Sequence, residues 1–179
     1  MDKGEKAMRN TTPSSFAIGV VLSGGGTRGA YQVGALRALA EVHGITSPHV
    51  LDALSGGVTP GLYYLAGPVE EMYAWPELCD DPRFISWLRI GGCILDADFW
   101  IKDIVVRQVP DFPKEIAQVP TEFFIAATAL PTGRPHWFSR ADARSLFEIM
   151  HAAISLPGIS GSGVGIDGHV YADGCLSVS

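Results

Sequence analysis

The run Gly19-Val20-Val21-Leu22-Ser23-Gly24-Gly25-Gly26-Thr27-Arg28-Gly29 constrains this chain more than any other stretch. From Phe16 to Leu22 the residues are Val-, Ile- and Leu-rich without polar alternation, which predicts a strand buried on both faces of a parallel sheet rather than an edge strand. Three consecutive glycines then let the backbone come close to a ligand, because no Cβ intervenes and positive φ costs little. From Ala30 to Val42 the apolar residues recur at helical spacing. A strand, a glycine loop and a helix N-terminus in succession form an anion cradle, with free N–H groups and the positive end of the helix dipole aimed the same way.

The rest of the chain repeats and elaborates this device. His49 to Leu54 predicts a second short strand, followed by the glycine-rich turn Ser55-Gly56-Gly57-Val58-Thr59-Pro60-Gly61 and an apolar run to Ala66. Pro60 suits the first residue of a helix, with Thr59 as its N-cap. Residues 67–120 are punctuated by prolines and carry Trp75, Phe84, Trp87, Phe99 and Trp100 among Arg83, Arg89, Lys102 and Arg107. Two readings stand for this irregular helical stretch: a layer whose aromatics fill the core, or a cap whose aromatic and basic residues meet lipid. Phe123 to Leu130 predicts a third buried strand, turning at Pro131-Thr132-Gly133 into His136-Trp137-Phe138. Ser139 with Asp142 has the spacing of a capping box and opens a helix to about His151, broken at Pro157-Gly158. Asp167-Gly168 is a hairpin signal, and the chain reaches Asp173-Gly174 near its end.

Composition limits what such a chain does. With 179 residues and 47% apolar content it forms one domain with a sizeable core. Its net charge of -6 speaks against a nucleic-acid surface. Cys79, Cys93 and Cys175 are odd in number and far apart, so neither a disulfide framework nor a metal site is expected. They read as reduced thiols in a cytoplasmic protein, with peripheral attachment to a membrane left open. Met1 to Ser15 reads as a flexible tail, within which the Asn10 sequon is a chance match. The apolar run behind it enters the glycine loop without a cleavage site, and no stretch reaches the ~18 apolar residues of a spanning helix.

Strands alternating with helices predict a three-layer α/β/α sandwich with a mostly parallel central sheet, whose ligands gather beyond the carboxyl ends of the strands. The loops of Gly24 to Gly29, of Ser55 to Gly61 and of Asp173 fall there. Together they offer donors, a hydroxyl and a carboxylate, the parts of a nucleophilic site in which a strained strand-to-helix turn presents the nucleophile. Ser55 is framed as Ala53-Leu54-Ser55-Gly56-Gly57 and Thr59 as Gly57-Val58-Thr59-Pro60-Gly61, so neither completes Gly-x-Ser-x-Gly. Neighbouring residues favour Thr59. Chemistry favours Ser55, because a β-branched residue in a strained backbone costs on the order of 1–3 kcal/mol. A plainer reading makes Ser55 a strand-end hydroxyl, Thr59 only a cap, Arg28 a solvated charge and Asp173 a turn residue.

Ser23 to Tyr31, Ala152 to Ile159, Ile166-Asp167-Gly168 and Tyr171-Ala172-Asp173-Gly174 together resemble the patatin-like phospholipase family, from about Phe16 to the end of the chain. The resemblance implies a serine lipid acyl hydrolase with a Ser-Asp dyad, Ser55 or alternatively Thr59 with Asp173, working without histidine, metal or cofactor. Gly24, Gly25, Gly26, Arg28 and Gly29 correspond to the oxyanion loop, and the substrate implied is a lipid or membrane-surface ester. The family continues well beyond this aspartate, so the C-terminal part of its domain is expected to be missing here; oligomeric state is unassigned. Two alternatives remain: a catalytically impaired lipid-binding or interaction module of the same fold, and a dinucleotide-binding domain using Gly24, Gly26 and Gly29 as G-x-G-x-x-G, a weak motif when alone. The acidic residue that motif needs about 20 positions on is not convincing, since Glu41 is on the helix and Asp52 is within its strand.

Overall fold

The computed structural model describes residues 17–67, 81–86 and 92–178. The expected tail, Phe16, Trp75, Cys79, Trp87 and Arg89 lie outside them. In chain order the main elements are β1 (Gly19–Leu22), α1 (Gly29–Glu41), β2 (Val50–Leu54) and α2 (Val58–Ala66). A π-helical segment, Phe99–Val105, runs into a short turn, Val106–Gln108, and is followed by α3 (Phe112–Ile116). Then come β3 (Glu122–Leu130), β4 (Arg134–Ser139), α4 (Leu146–Ile154), β5 (Val164–Ile166) and β6 (His169–Asp173).

The strands form one mixed sheet in the order β1-β2-β3-β6-β5, with β4 also on β3. β1, β2 and β3 are parallel, β4 and β6 run against β3, and β5 runs against β6. Four of the six described strands, β1, β2, β3 and β5, therefore point one way, as the α/β sandwich class requires. The placement of β3 positions everything else. Residues 124–126 of β3 pair with both β2 and β4, and residues 127–129 with both β6 and β4. A strand has two edges, so β4 takes one of them and β2 and β6 divide the other end to end.

The helices pack on one face of this sheet. Val20, Leu22, Leu51, Ala53, Phe123, Ile125 and Ala127 alternate onto that face and join Val33, Leu36, Leu62, Leu146, Ile149 and Met150 in one core. At period 2 the intervening residues point the other way, and these are Val21, Val50, Asp52, Phe124 and Trp137. Val21 is 76% exposed, Trp137 45% and Phe124 37%. The second helical layer of a three-layer sandwich is not among the described residues; on that side Val21, Phe124 and Trp137 are exposed, whereas Ala126, Thr128 and Ala172 toward β6 are buried. β1 accordingly differs from the expectation of a strand buried on both faces. Among the described strands it pairs only with β2 and alternates exposed with buried, because helices cover only one of its faces.

Local signals hold with small shifts. Gly44 takes φ 65 just after α1, the left-handed conformation that stops a helix. Asp167 and Gly168 have φ 46 and 81, the paired positive values of a type I′ hairpin between β5 and β6. The capping box forms, with Ala141 N donating to Ser139 Oγ and Ser139 N to Asp142 Oδ2. It opens a 3₁₀ stretch, Arg140–Ser145, before α4, rather than one continuous helix. Thr59 is not an N-cap. A 3₁₀ turn at Ser55–Gly57 feeds directly into α2, so the helix starts at Val58 and Thr59 and Pro60 fall within its first turn.

Where β2 turns into α2, Gly57 lies against β1: a Cβ there would stand 2.6 Å from Leu22 O. Gly57→Ala is expected to cost about 1–3 kcal/mol through overpacking, read as a fall of several degrees in Tm by circular dichroism. Gly19→Ala, at a site where a Cβ meets nothing within 4 Å, is the matched control and leaves Tm in place.

Candidate active site

Ser55 follows the last residue of β2 and has φ 51, in the left-handed region that non-glycine residues seldom occupy. That conformation turns the chain sharply from strand to helix and lifts the side chain out of the sheet. Its neighbours are forced to be small. A Cβ on Gly56 would lie 2.5 Å from Gly26 O and 2.7 Å from Gly26 N, so the turn and the glycine loop touch backbone to backbone. Ala53, which replaces the first glycine of Gly-x-Ser-x-Gly, sits in the body of β2 opposite Leu22 and Ile125, with its methyl in the core. The substitution therefore falls outside the strained part of the turn.

Asp173 meets Ser55 because of the divided edge of β3. Leu54 pairs with Ala126 and Asp173 with Ala127, so the ends of β2 and β6 face each other across adjacent positions of one strand. Ser55 Oγ donates to Asp173 Oδ2 at 2.6 Å, in the short range of hydrogen bonds to a carboxylate. The other carboxylate oxygen, Oδ1, accepts from Cys175 N at 2.9 Å. The backbone of Asp173 is bonded on both sides, its N–H to Ser155 O at 3.0 Å and its carbonyl to Thr128 Oγ1 at 2.9 Å. The residue is 2% exposed. Gly174 completes the junction: a Cβ there would lie 2.6 Å from Ala126 O and 2.7 Å from Leu54 Cδ1.

The glycine loop lies alongside. Gly24 faces Ser55, with a hypothetical Cβ 3.7 Å from Ser55 Oγ, and Gly26 has φ 56. Gln32 Nε2 donates to Ser23 O at 2.6 Å, tying the start of the loop to α1. Arg28 closes the loop and donates from Nε to Gly25 O at 3.4 Å. Gly24, Gly25, Gly26 and Arg28 all border a cavity of about 530 Å³ that also holds Ser55 and Asp173. Gly29 does not border it; it is the buried first residue of α1. Among the remaining walls are Leu54, Phe84, Leu95, Trp100, Ile154 and Leu156, so the cavity is polar at the Ser55 end and apolar elsewhere.

Thr59 borders the same cavity, but its Oγ1 accepts from Trp100 Nε1 at 3.3 Å, and Asp173 is bonded to Ser55 instead. No histidine borders this cavity among the described residues. His49 Nδ1 accepts from Ile18 N, His136 packs on Phe138 and Tyr171, and His151 stands 3.9 Å from Asp98. Burial of His151 lowers its pKa from the ordinary value, outweighing the carboxylate of Asp98. Cys175 keeps some exposed surface, yet burial of its thiol, reinforced by the Asp173 carboxylate, raises the pKa to about 11. It is a neutral thiol beside the pair. Sequence reasoning passed over Thr128, whose signal is a hydroxyl inside an apolar strand. Phe84 and Trp100, read from the sequence as core aromatics or as part of a cap over a site, are both buried and both border the cavity. Asp52, the acidic candidate for a dinucleotide site, points to the open face of the sheet, away from the helical layer.

Residues 20–178 match the family described as Patatin-like phospholipase. Uncharacterized NTE family proteins of Mycobacterium bovis and Mycobacterium tuberculosis are 29% identical over 177 residues, covering 94% of this chain and 45% of each relative. The chain thus spans about half the length of the curated relatives it matches. The crystal structure of VipD from Legionella pneumophila superposes with a TM-score of 0.64 at 14% identity, over 88% of this chain and 46% of that one, which is a likeness of fold. With its glycine loop, its Ser55 turn and its Asp173 in one cavity and the family match running through all three, this chain belongs to the patatin-like phospholipase family.

Proposed function

We propose that the chain is a serine lipid acyl hydrolase, with Ser55 as nucleophile and Asp173 as its general base. The observation that carries the reading is the 2.6 Å bond from Ser55 Oγ to Asp173 Oδ2 at the polar end of an apolar cavity. In the first step Asp173 takes the hydroxyl proton as Ser55 Oγ bonds to the carbonyl carbon of a fatty-acyl ester. The developing oxyanion is met by backbone amides of Gly25 and Gly26, with Arg28 orienting the loop; each donor of this kind is worth ~10²–10³ in rate. As the ester C–O bond breaks, the proton passes from Asp173 to the leaving alcohol. In the second step Asp173 takes a proton from water as the water oxygen bonds to the acyl carbon; the bond from that carbon to Ser55 Oγ then breaks, the proton passes from Asp173 to Ser55 Oγ, and the fatty acid leaves. The histidine positions support a dyad rather than a triad, since Asp173 itself receives the hydroxyl hydrogen bond.

A cavity of this size holds a ligand of drug-like dimensions. One acyl chain enters and the rest of the lipid stays outside, which supports a lipid or membrane-surface ester as the partner. No described helix is long and apolar enough to cross a membrane. Ile159, 41% exposed, borders the cavity, and Tyr31, 83% exposed, flanks the glycine loop in a neighbouring hollow with Gly24, Gly25 and Arg28; both suit contact with a lipid surface.

Fluorophosphonate labelling followed by peptide mapping tests the assignment: the tag is expected on Ser55. A tag on Thr59 moves the nucleophile, whereas vesicle binding with neither tag nor ester hydrolysis identifies a lipid-binding module instead. Ser55→Ala is expected to abolish hydrolysis, and Asp173→Asn to lower kcat by ~10²–10⁴, the range of a general base. For Cys175, whose neutral form persists up to about 11, alkylation by iodoacetamide at pH 8 is expected to run about two orders of magnitude below an ordinary thiol and to rise with pH, because only the thiolate reacts.

A further inference from the structure

The π-helical segment Phe99–Val105 is unusual, since π turns are rare and tend to occur where a side chain must be re-aimed. Here the segment carries Trp100, which is 3% exposed and borders the same cavity as Ser55. The indole is held from two further directions. Its Nε1 donates to Thr59 Oγ1 at 3.3 Å, and its ring lies on Phe84 with centroids 5.0 Å apart. A buried tryptophan needs a partner for its N–H, and the Thr59 hydroxyl, itself only 4% exposed, has this task rather than a nucleophilic one. Thr59 follows Ser55 by four residues through a 3₁₀ turn into α2. At roughly 1.5–2 Å of rise per residue the indole edge meets α2 about 6–8 Å along the chain from the nucleophile.

From this geometry we infer that Trp100 is the residue that limits acyl-chain length, and that Thr59 is a positioning residue holding its indole in place. The inference rests on the hydrolase reading above. An acyl chain entering past Ser55 runs into an aromatic wall that is fixed by a hydrogen bond, a ring contact and the backbone, and short chains are accommodated while long ones are not. A rigid wall discriminates steeply, because each methylene accepted or refused by an apolar pocket changes kcat/KM by about 10–200-fold.

The experiment is an ester-length series, p-nitrophenyl butyrate, octanoate and palmitate, on the whole chain. Wild type is expected to prefer butyrate and octanoate. In Trp100→Ala the palmitate-to-butyrate ratio of kcat/KM is expected to rise at least about tenfold, mostly through KM, in line with the one-methylene range. Thr59→Val, which removes the acceptor and keeps the shape, moves the ratio the same way by less, and Thr59→Ser restores the wild-type profile. Labelling of Ser55 by a small fluorophosphonate reports whether the site is assembled in each variant, and Trp100→Leu takes the place of an alanine variant that does not fold. An unchanged ratio in Trp100→Ala or Trp100→Leu with labelling intact overturns the inference. If wild type neither labels nor hydrolyses any ester, the hydrolase reading falls separately. Wall and length limit are then read by calorimetric binding of octanoate and palmitate: palmitate gaining at least tenfold in the Trp100 variant supports the limit, and equal affinities overturn it.

Discussion

One shared strand edge holds this structure together. β2 and β6 do not lie side by side; they meet end to end along β3, and the register that pairs Leu54 with Ala126 and Asp173 with Ala127 brings together two residues 118 positions apart. β4 runs along the opposite edge and pairs on both sides of the junction, so it splints the place where two half-sheets abut. A slip of one residue in either half reverses the direction of every side chain in it, and Asp173 would then face away from Ser55. The glycines at the seam follow from the same constraint. Gly56, Gly57 and Gly174 each stand where a Cβ would press on backbone of a neighbouring segment, so the seam closes only when all three lack side chains.

Much of this was legible before any coordinates, and the reasons differ by residue. The glycine loop, the Ser55 turn and the Asp167-Gly168 hairpin are local devices whose residue types dictate backbone shape, so they can be read from a few neighbours. Placing Ser55 and Thr59 takes direction as well as residue type. Two hydroxyls four residues apart look alike in sequence, but one leaves the sheet at a left-handed turn and the other sits within a helical turn against Trp100. The open face of the sheet was illegible for a different reason. An apolar run such as Ile18 to Leu22 reads the same whether its second face is covered or bare, since what covers it comes from elsewhere in space. Trp100 belongs to this class too: its place on the cavity wall depends on a π turn, on Phe84 and on Thr59, three segments with no common local pattern.

Burial of Asp173 is tolerated because every polar group it presents is occupied. Its two oxygens accept from Ser55 and Cys175 N, and its peptide groups bond Ser155 and Thr128. A buried carboxylate with open valences would carry a desolvation cost of several kcal/mol. The bonds that satisfy it also fix the direction of its Oδ2 oxygen, so the device that makes burial tolerable is the one that aims this carboxylate at Ser55. Cys175 contributes through its backbone N–H at 2.9 Å, and its thiol, held neutral by burial and by the Asp173 carboxylate, adds no second negative charge beside it.

The left-handed backbone at Ser55 sets two terms of folding against each other at one position. A serine held at φ 51 carries a strain of about 1–3 kcal/mol that glycine would not, since glycine occupies positive φ freely. Glycine at this position would relieve that strain but would remove the hydroxyl that donates to the buried Asp173 Oδ2, so its two effects on folding oppose each other. The hydroxyl that carries the backbone strain is thus the same group that satisfies a carboxylate with almost no access to water.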